Sequence, residues 1–138
     1  MTDQYQLQCV GRVHSPLLDR VSAPKQGFEG SPLVTIVFDQ AYADALADLG
    51  VGDEVIVLTW LDRASRDVLK VHPRDDPKVR LTGVFSTRSP DRPNPIGLHR
   101  VKVVKILDSL RIQVQDLEAL DMTPVIDVKP ILKRSREE

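Results

Sequence analysis

"IGLHRVKVVKILD", Ile96–Asp108, is followed one residue later by "LRIQVQDL", Leu110–Leu117. The second run alternates apolar and polar residues cleanly, which places one set of side chains on each face of a half-buried strand. The first alternates as far as Val103-Val104, where the phase slips, and this predicts a bulge or a sharp bend within a strand. Two strands in a row, with no helical periodicity between them, set the expectation for the rest of the chain.

Upstream, "VRLTGVF" (Val79–Phe85) predicts another strand, running straight into "STRSPDRPNP". Proline fixes φ and lacks an N–H, so Pro90, Pro93 and Pro95 exclude a helix interior or a sheet ladder and make this segment a loop. "DEVIVLTWLD" (Asp53–Asp62) is apolar enough for a central strand, and "LVTIVFD" (Leu33–Asp39) is β-branched and strand-like. "YQLQCVGRVHSP" alternates, with Tyr5, Leu7 and Cys9 on one face, and predicts a strand ending at Pro16; "TPVIDVKPIL" predicts the last strand, closed by Pro130. "QAYADALADLG" is the single helical pattern: Tyr42, Ala45, Leu46 and Leu49 recur at helical spacing, with Asp39 as N-cap and Gly50 past the end. Residues 17–32 and 63–79 read as long loops, and 133–138 as a frayed tail. The sum is all-β, six or seven short strands with one short helix, a barrel or a sandwich, in one domain with its core at about 6–132.

A chain of 138 residues supports one core. No apolar run reaches the ~20 residues of a membrane span and the first residues do not resemble a signal peptide, so a cytoplasmic protein is expected, with no membrane partner. Cys9 stands alone, excluding an intrachain disulfide, and reads as a small buried residue on its strand. His14, His72 and His99 show no metal-ligand spacing, so no metal is expected. No phosphate-binding glycine motif follows a strand into a helix, which argues against a doubly wound nucleotide fold. The net charge of −1 conceals a segregation: residues 1–62 carry −6, residues 63–105 carry +7 and residues 106–138 carry −2. A basic middle segment presents a local field to a polyanion even on a neutral protein, although the same charges also suit solvated loops.

Three features carry chemistry. In the Arg/Pro loop, Arg88 and Arg92 sit on stiffened backbone, Asn94 offers donor and acceptor, and Gly97 allows close approach. Such a loop suits an anionic ligand with polar edges, or else a rigid corner whose arginines pair with the protein's own carboxylates. "DLEALDMTPVIDVKP" supplies Asp116, Glu118, Asp121 and Asp127, suited to ribose hydroxyls, an amino group or salt bridges to the arginines. "APKQGFEG" supplies the Gln26 amide, the Gly27 backbone and the Phe28 ring, which either stacks on a base or anchors the loop. No nucleophile elbow accompanies any of them.

The order "VGRVHSP", "APKQG", "VIVLTWLDRASR", "GVFSTRSPDRPNPIGLHRVKV", "LEALDMTPVIDVKPIL" resembles the TsaA-like family of tRNA methyltransferases, over roughly Gln6 to Leu132. The resemblance implies a single-sheeted β-barrel that binds S-adenosylmethionine, works as a homodimer, and N6-methylates threonylcarbamoyladenosine beside the tRNA anticodon. It also implies that the cofactor touches Gln26, Gly27, Phe28, Asp62, Arg63, Arg88, Leu98, Asp116, Leu117 and Glu118. On that basis Arg63, Arg66, Arg92 and Asn94 are candidates for tRNA phosphate or the substrate's carboxylate, and Asp62 or Asp121 for the proton acceptor. A methyltransferase acting on a small molecule, and a barrel that binds cofactor or RNA without turnover, are the alternatives.

Overall fold

A computed structural model of the chain describes residues 3–16 and 33–132. The predicted loop 17–32 and tail 133–138 therefore lie outside the described residues, as do Gln26, Gly27 and Phe28. Valine-rich alternation closes into a barrel: β1 (Gly11–His14), β2 (Val34–Phe38), β3 (Glu54–Trp60), β6 (Ile96–Ile106), β7 (Arg111–Gln115) and β8 (Pro124–Pro130) pair in the order β1-β2-β7-β6-β3-β8. Every pairing is antiparallel. Closure removes the free edges that a small open sheet would expose.

Along β2 and β3 every second side chain points inward, and Val13, Ile36, Val57, Val103, Val114 and Val125 meet with no exposed surface. β-Branched side chains fit the narrow interior of a six-stranded barrel because they pack on a pleat with little rotamer freedom to lose. The expected phase slip in β6 is a bulge: Val103 faces Val114 and Lys105 faces Gln113, so Val104 is the extra residue.

Three expectations need correction. The run Val79–Phe85 is not a barrel strand. Only β5 (Thr82–Gly83) pairs, and its partner is the equally short β4 (Lys70–Val71), in a separate ribbon; Val79 and Leu81 are exposed, with no neighbour to bury an alternating face. At the other end, Tyr5, Leu7 and Cys9 are exposed rather than buried. β2 stops at Phe38, opposite Gly11, and the pairing of β1 with β8 stops at Gly11–Val125 although β8 runs on to Pro130 beside β3, so residues 5–9 pair with neither strand. The helical segment is a 3₁₀ helix, Gln40–Leu46, kinked at Tyr42, with no fully buried residue. Asp39 caps it as expected, accepting from the Ala41 amide at 2.9 Å. Its C-cap is Ala47; Gly50 instead donates its amide to Asp53.

The strand order sorts the connections. β1, β3 and β7 end, and β2, β6 and β8 begin, at one mouth of the barrel; the 3₁₀ helix and the short β6–β7 turn lie at the other.

Candidate functional site

Two of the three features with chemical potential in the sequence connect strands at the first mouth, one from β3 through the ribbon to β6 and one from β7 to β8; the third, "APKQGFEG", lies outside the described residues. A closed antiparallel barrel thus gathers segments that are about thirty residues apart in the chain.

The β3–β6 connection is bonded to itself. Leu61 N donates to Pro95 O (2.8 Å), Arg92 N to Ser65 O (3.0 Å) and Ser65 N to Asp91 Oδ1 (2.9 Å). Arg66 lies over the Trp60 ring, 5.1 Å from its centroid, and donates from Nε to Pro93 O (2.7 Å) and from Nη2 to Asn94 Oδ1 (2.9 Å). A guanidinium can stack and fork at once, and here it ties strand β3 to the Pro-Asn-Pro corner. Two residues predicted to face RNA, Arg66 and Asn94, are therefore partners of each other.

Arg92 turns inward on its own loop. Its Nη1 donates to Thr87 O and Ser89 O, both at 3.0 Å, and its Nη2 to Val84 O. The charged fork thus satisfies three backbone carbonyls, which braces the loop and leaves little of it for a phosphate. Arg88, four residues earlier, is exposed and makes no hydrogen bond or ion pair to another described residue. Asp62 and Arg63 stand exposed at the tip of the turn after β3.

In the β7–β8 connection Asp116 and Met122 have positive φ, 70° and 68°. Non-glycine residues occupy this region at a cost, and such positions concentrate where a loop has a task besides connection. Leu117 is fully buried, whereas Asp116 is exposed and Glu118 half-buried. Asp121 accepts the Ser15 amide at 3.0 Å, and Arg12 Nη1 donates to Met122 O at 2.9 Å, so the connection is sewn to the end of β1. Asp127 lies on β8, away from this loop, and pairs with Lys129 at 3.4 Å.

On β6, Leu98 faces outward opposite Leu58 of β3, whereas His99 faces inward. Sequence reasoning gave Gly97 a role in approach to a ligand, but the space beside it is filled. A Cβ there would meet Thr59 Oγ1 and stand 2.7 Å from His99 Nε2. His99 and Thr59 bond at 2.8 Å, and burial pushes the imidazole pKa down to about 4. That histidine was overlooked because the missing side chain at Gly97, which makes room for it, acquires meaning only in the barrel register.

A cleft of about 880 Å³ opens near the opposite mouth, bounded by Phe38, Tyr42, Leu46, Val55, Val128 and Leu132. Of its polar neighbours, Arg100 pairs with Glu54 and Asp53 accepts the Gly50 amide, whereas Asp48 is exposed. Among the described residues no cluster of His, Cys, Asp and Glu could hold a metal ion, and no helix is long and apolar enough to cross a membrane.

Comparison with known proteins adds identity to this geometry. Residues 12–136 match the family model of the tRNA-methyltransferase O N-terminal domain. A "Probable S-adenosyl-L-methionine-binding protein" of Archaeoglobus fulgidus is 45% identical over 125 residues, covering 91% of this chain and 33% of that protein. A shorter "S-adenosyl-L-methionine-binding protein" of the same organism is 44% identical over 124 residues, covering 89% of this chain and 86% of its own length. The crystal structure of TrmO from Pseudomonas aeruginosa superposes with a TM-score of 0.74 at 24% identity, over 94% of this chain and 57% of that one. The chain thus spans about a third of the first relative and under three fifths of the solved structure.

Proposed function

Because the chain belongs to the family of the tRNA-methyltransferase O N-terminal domain, we propose that it is an S-adenosylmethionine-dependent methyltransferase that N6-methylates threonylcarbamoyladenosine next to the tRNA anticodon. The observation that carries this reading is Arg88: an exposed guanidinium without a described partner, on a loop that Arg92 braces, at the mouth where the acidic β7–β8 connection also emerges.

These residues suit the cofactor. Arg88 matches its carboxylate in charge and fork geometry, and the exposed Asp116 matches ribose hydroxyls or the amino group. Asp62, Arg63, Leu98, Leu117 and Glu118 complete the proposed surround, with Gln26, Gly27 and Phe28 outside the described residues. When bound, the cofactor supplies an electrophilic methyl on a sulfonium leaving group, so the protein's share of the work is alignment of the acceptor nitrogen and removal of its proton. Arg63 and Arg66 face the substrate side, Arg66 through the corner it shares with Asn94. Asp62 accepts the proton that the weakly basic nitrogen must lose.

The assembly proposed is a homodimer. Leu98 and Ile96 project from the outer wall of β6, beside Leu58 and Trp60 of β3, and a second copy would cover this stripe. Leu98 and Leu117 point to opposite sides of the barrel wall, so a site shared between two copies lets one cofactor meet the outer face of one wall and the 116–118 run of another.

The deciding experiment is methyl transfer from labelled S-adenosylmethionine to tRNA with and without the threonylcarbamoyl group, using wild type and Arg88→Ala. Label is expected only in the modified tRNA and is lost in the variant. Saturable cofactor binding with no label in either tRNA would overturn the substrate and favour a barrel that binds without turnover.

A further inference from the structure

Phe85 is 86% exposed while its neighbour Val84 is 3% exposed. An isolated exposed aromatic needs no explanation on a mobile loop; this one sits on a turn whose backbone is fixed from several sides. The Val84 carbonyl accepts from Thr87 N (3.1 Å), Thr87 Oγ1 (3.0 Å) and Arg92 Nη2, and Val84 N donates to Leu69 O (2.9 Å). Val84 is thereby held buried and the Phe85 ring is held out in solvent. The rigid backbone leaves little ordering cost to binding at the ring, as in a preorganised recognition surface.

The surroundings indicate what the ring meets. Lys70 stands opposite Gly83 in the ribbon, two residues from Phe85. Residues 69–88 carry five cations, Lys70, Arg74, Lys78, Arg80 and Arg88, against two carboxylates, Asp75 and Asp76. Leu69 and Leu81, both exposed, border the same ribbon. A second copy in a two-fold contact would set this cationic face against itself, which like charges disfavour. Single-stranded RNA satisfies both halves of the surface, since its phosphates meet the cations and every base has a face that stacks on an aromatic ring.

We propose that Phe85 is a stacking platform for an unpaired base of the RNA substrate, flanked by the cationic β4–β5 ribbon that holds the neighbouring phosphates. This deepens the reading above and rests on it for the identity of the RNA. The contact itself does not depend on methyl transfer. Phe85 acts by positioning the strand, and Lys70, Lys78 and Arg80 by sequence-independent attraction.

The test uses the whole chain, no cofactor, and a 17-nucleotide anticodon stem-loop lacking the threonylcarbamoyl group, so that no reaction is read. Phe85→Ala and Phe85→Leu are expected to weaken binding by roughly five- to a hundredfold, the range of one base stack. Phe85→Trp should restore affinity, and its added fluorescence, taken as the difference from wild type, should be quenched by RNA. Lys70→Ala with Arg80→Ala should lower the salt dependence of binding without removing that quenching. Wild-type affinity in Phe85→Ala, or in Phe85→Leu, would overturn the proposal, the latter because it assigns the effect to apolar area. So would sedimentation showing that Phe85→Ala dissociates an assembly at unchanged RNA affinity, since the ring would then cover a second copy. A failed methylation assay beside intact Phe85-dependent quenching would overturn the reaction and leave the contact standing.

Discussion

Thr59 Oγ1 and His99 Nε2 stand 2.8 Å apart inside the barrel, in the space that Gly97 vacates by having no side chain. Three residues on two paired strands thus share one volume, in which Thr59 is fully buried and His99 is partly buried. Its consequences are measurable as stability.

Burial holds the folded His99 pKa at about 4 against an ordinary 6.5. Between those values the unfolded chain binds more protons than the folded one, so stability falls as pH drops from 6.5 toward 4 and this loss levels off below. The full shift corresponds to at most about 3 kcal/mol, an upper bound because the residue keeps some exposed surface. Urea denaturation at pH 7, 5.5 and 4.5 should show the decline in wild type and a flatter profile in His99→Gln. Parallel profiles for the two proteins would assign the acid sensitivity elsewhere. Asp108 is distinguishable: hydrogen bonds from the Leu110 amide and Arg111 hold its carboxyl below its ordinary value of 3.8, so its stabilising contribution fades only as pH falls through that lower range.

Gly97→Ala places a methyl against Thr59 Oγ1, 2.7 Å from His99 Nε2 and 3.2 Å from Leu61 Cδ2. Overpacking in a closed barrel typically costs about 1–3 kcal/mol. His99→Ala in the same background removes one of the two closest obstructions and frees Thr59 Oγ1 from its bond to the imidazole, so the double variant should lose less than the two single losses combined. Additive losses in a denaturation cycle would show that the crowding lies elsewhere.

How far this was legible beforehand depended on whether local alternation had a partner. β3, β7 and β8 were readable because each keeps neighbours along its length, and the bulge at Val104 was readable as a lost phase. Tyr5–Cys9 and Val79–Phe85 carry strand-like residues but lack a neighbouring strand to receive them, which depends on where β2 ends, where β8 leaves β1 for β3, and how short the β4–β5 ribbon is, rather than on their own residues. The Arg/Pro loop was recognisable as special from its prolines, yet the division of labour between Arg88 and Arg92 was not, because it turns on which backbone carbonyls the fold brings within reach.

That division predicts opposite phenotypes for two arginines four residues apart. Arg92→Ala leaves the carbonyls of Val84, Thr87 and Ser89 without their charged donor and should cost about 2 kcal/mol of stability. Arg92→Lys should recover only part, because an ammonium cannot span the three acceptors as a fork. Arg88→Ala should change stability by less than about 0.5 kcal/mol while weakening cofactor binding. Equal melting losses for the two alanine variants would refute the assignment.

Asp62 and Asp121, the two candidates for the proton acceptor, stand in different surroundings. One Asp121 oxygen accepts the Ser15 amide at 3.0 Å, so that carboxylate helps hold the end of β1; Asp62 is exposed at the tip of the turn after β3 and has no hydrogen bond or ion pair to another described residue. Asp62→Asn keeps size and polarity but removes the basic form, and should lower kcat for methyl transfer by on the order of a hundredfold with near-normal melting. The residual rate should lose the acidic limb of the pH profile that a carboxylate base imposes. Asp121→Asn retains a carbonyl oxygen for the Ser15 amide, so its kcat should fall far less than that of Asp62→Asn. A large loss of kcat in Asp121→Asn, with that limb abolished and Asp62→Asn unaffected, would exchange the two roles.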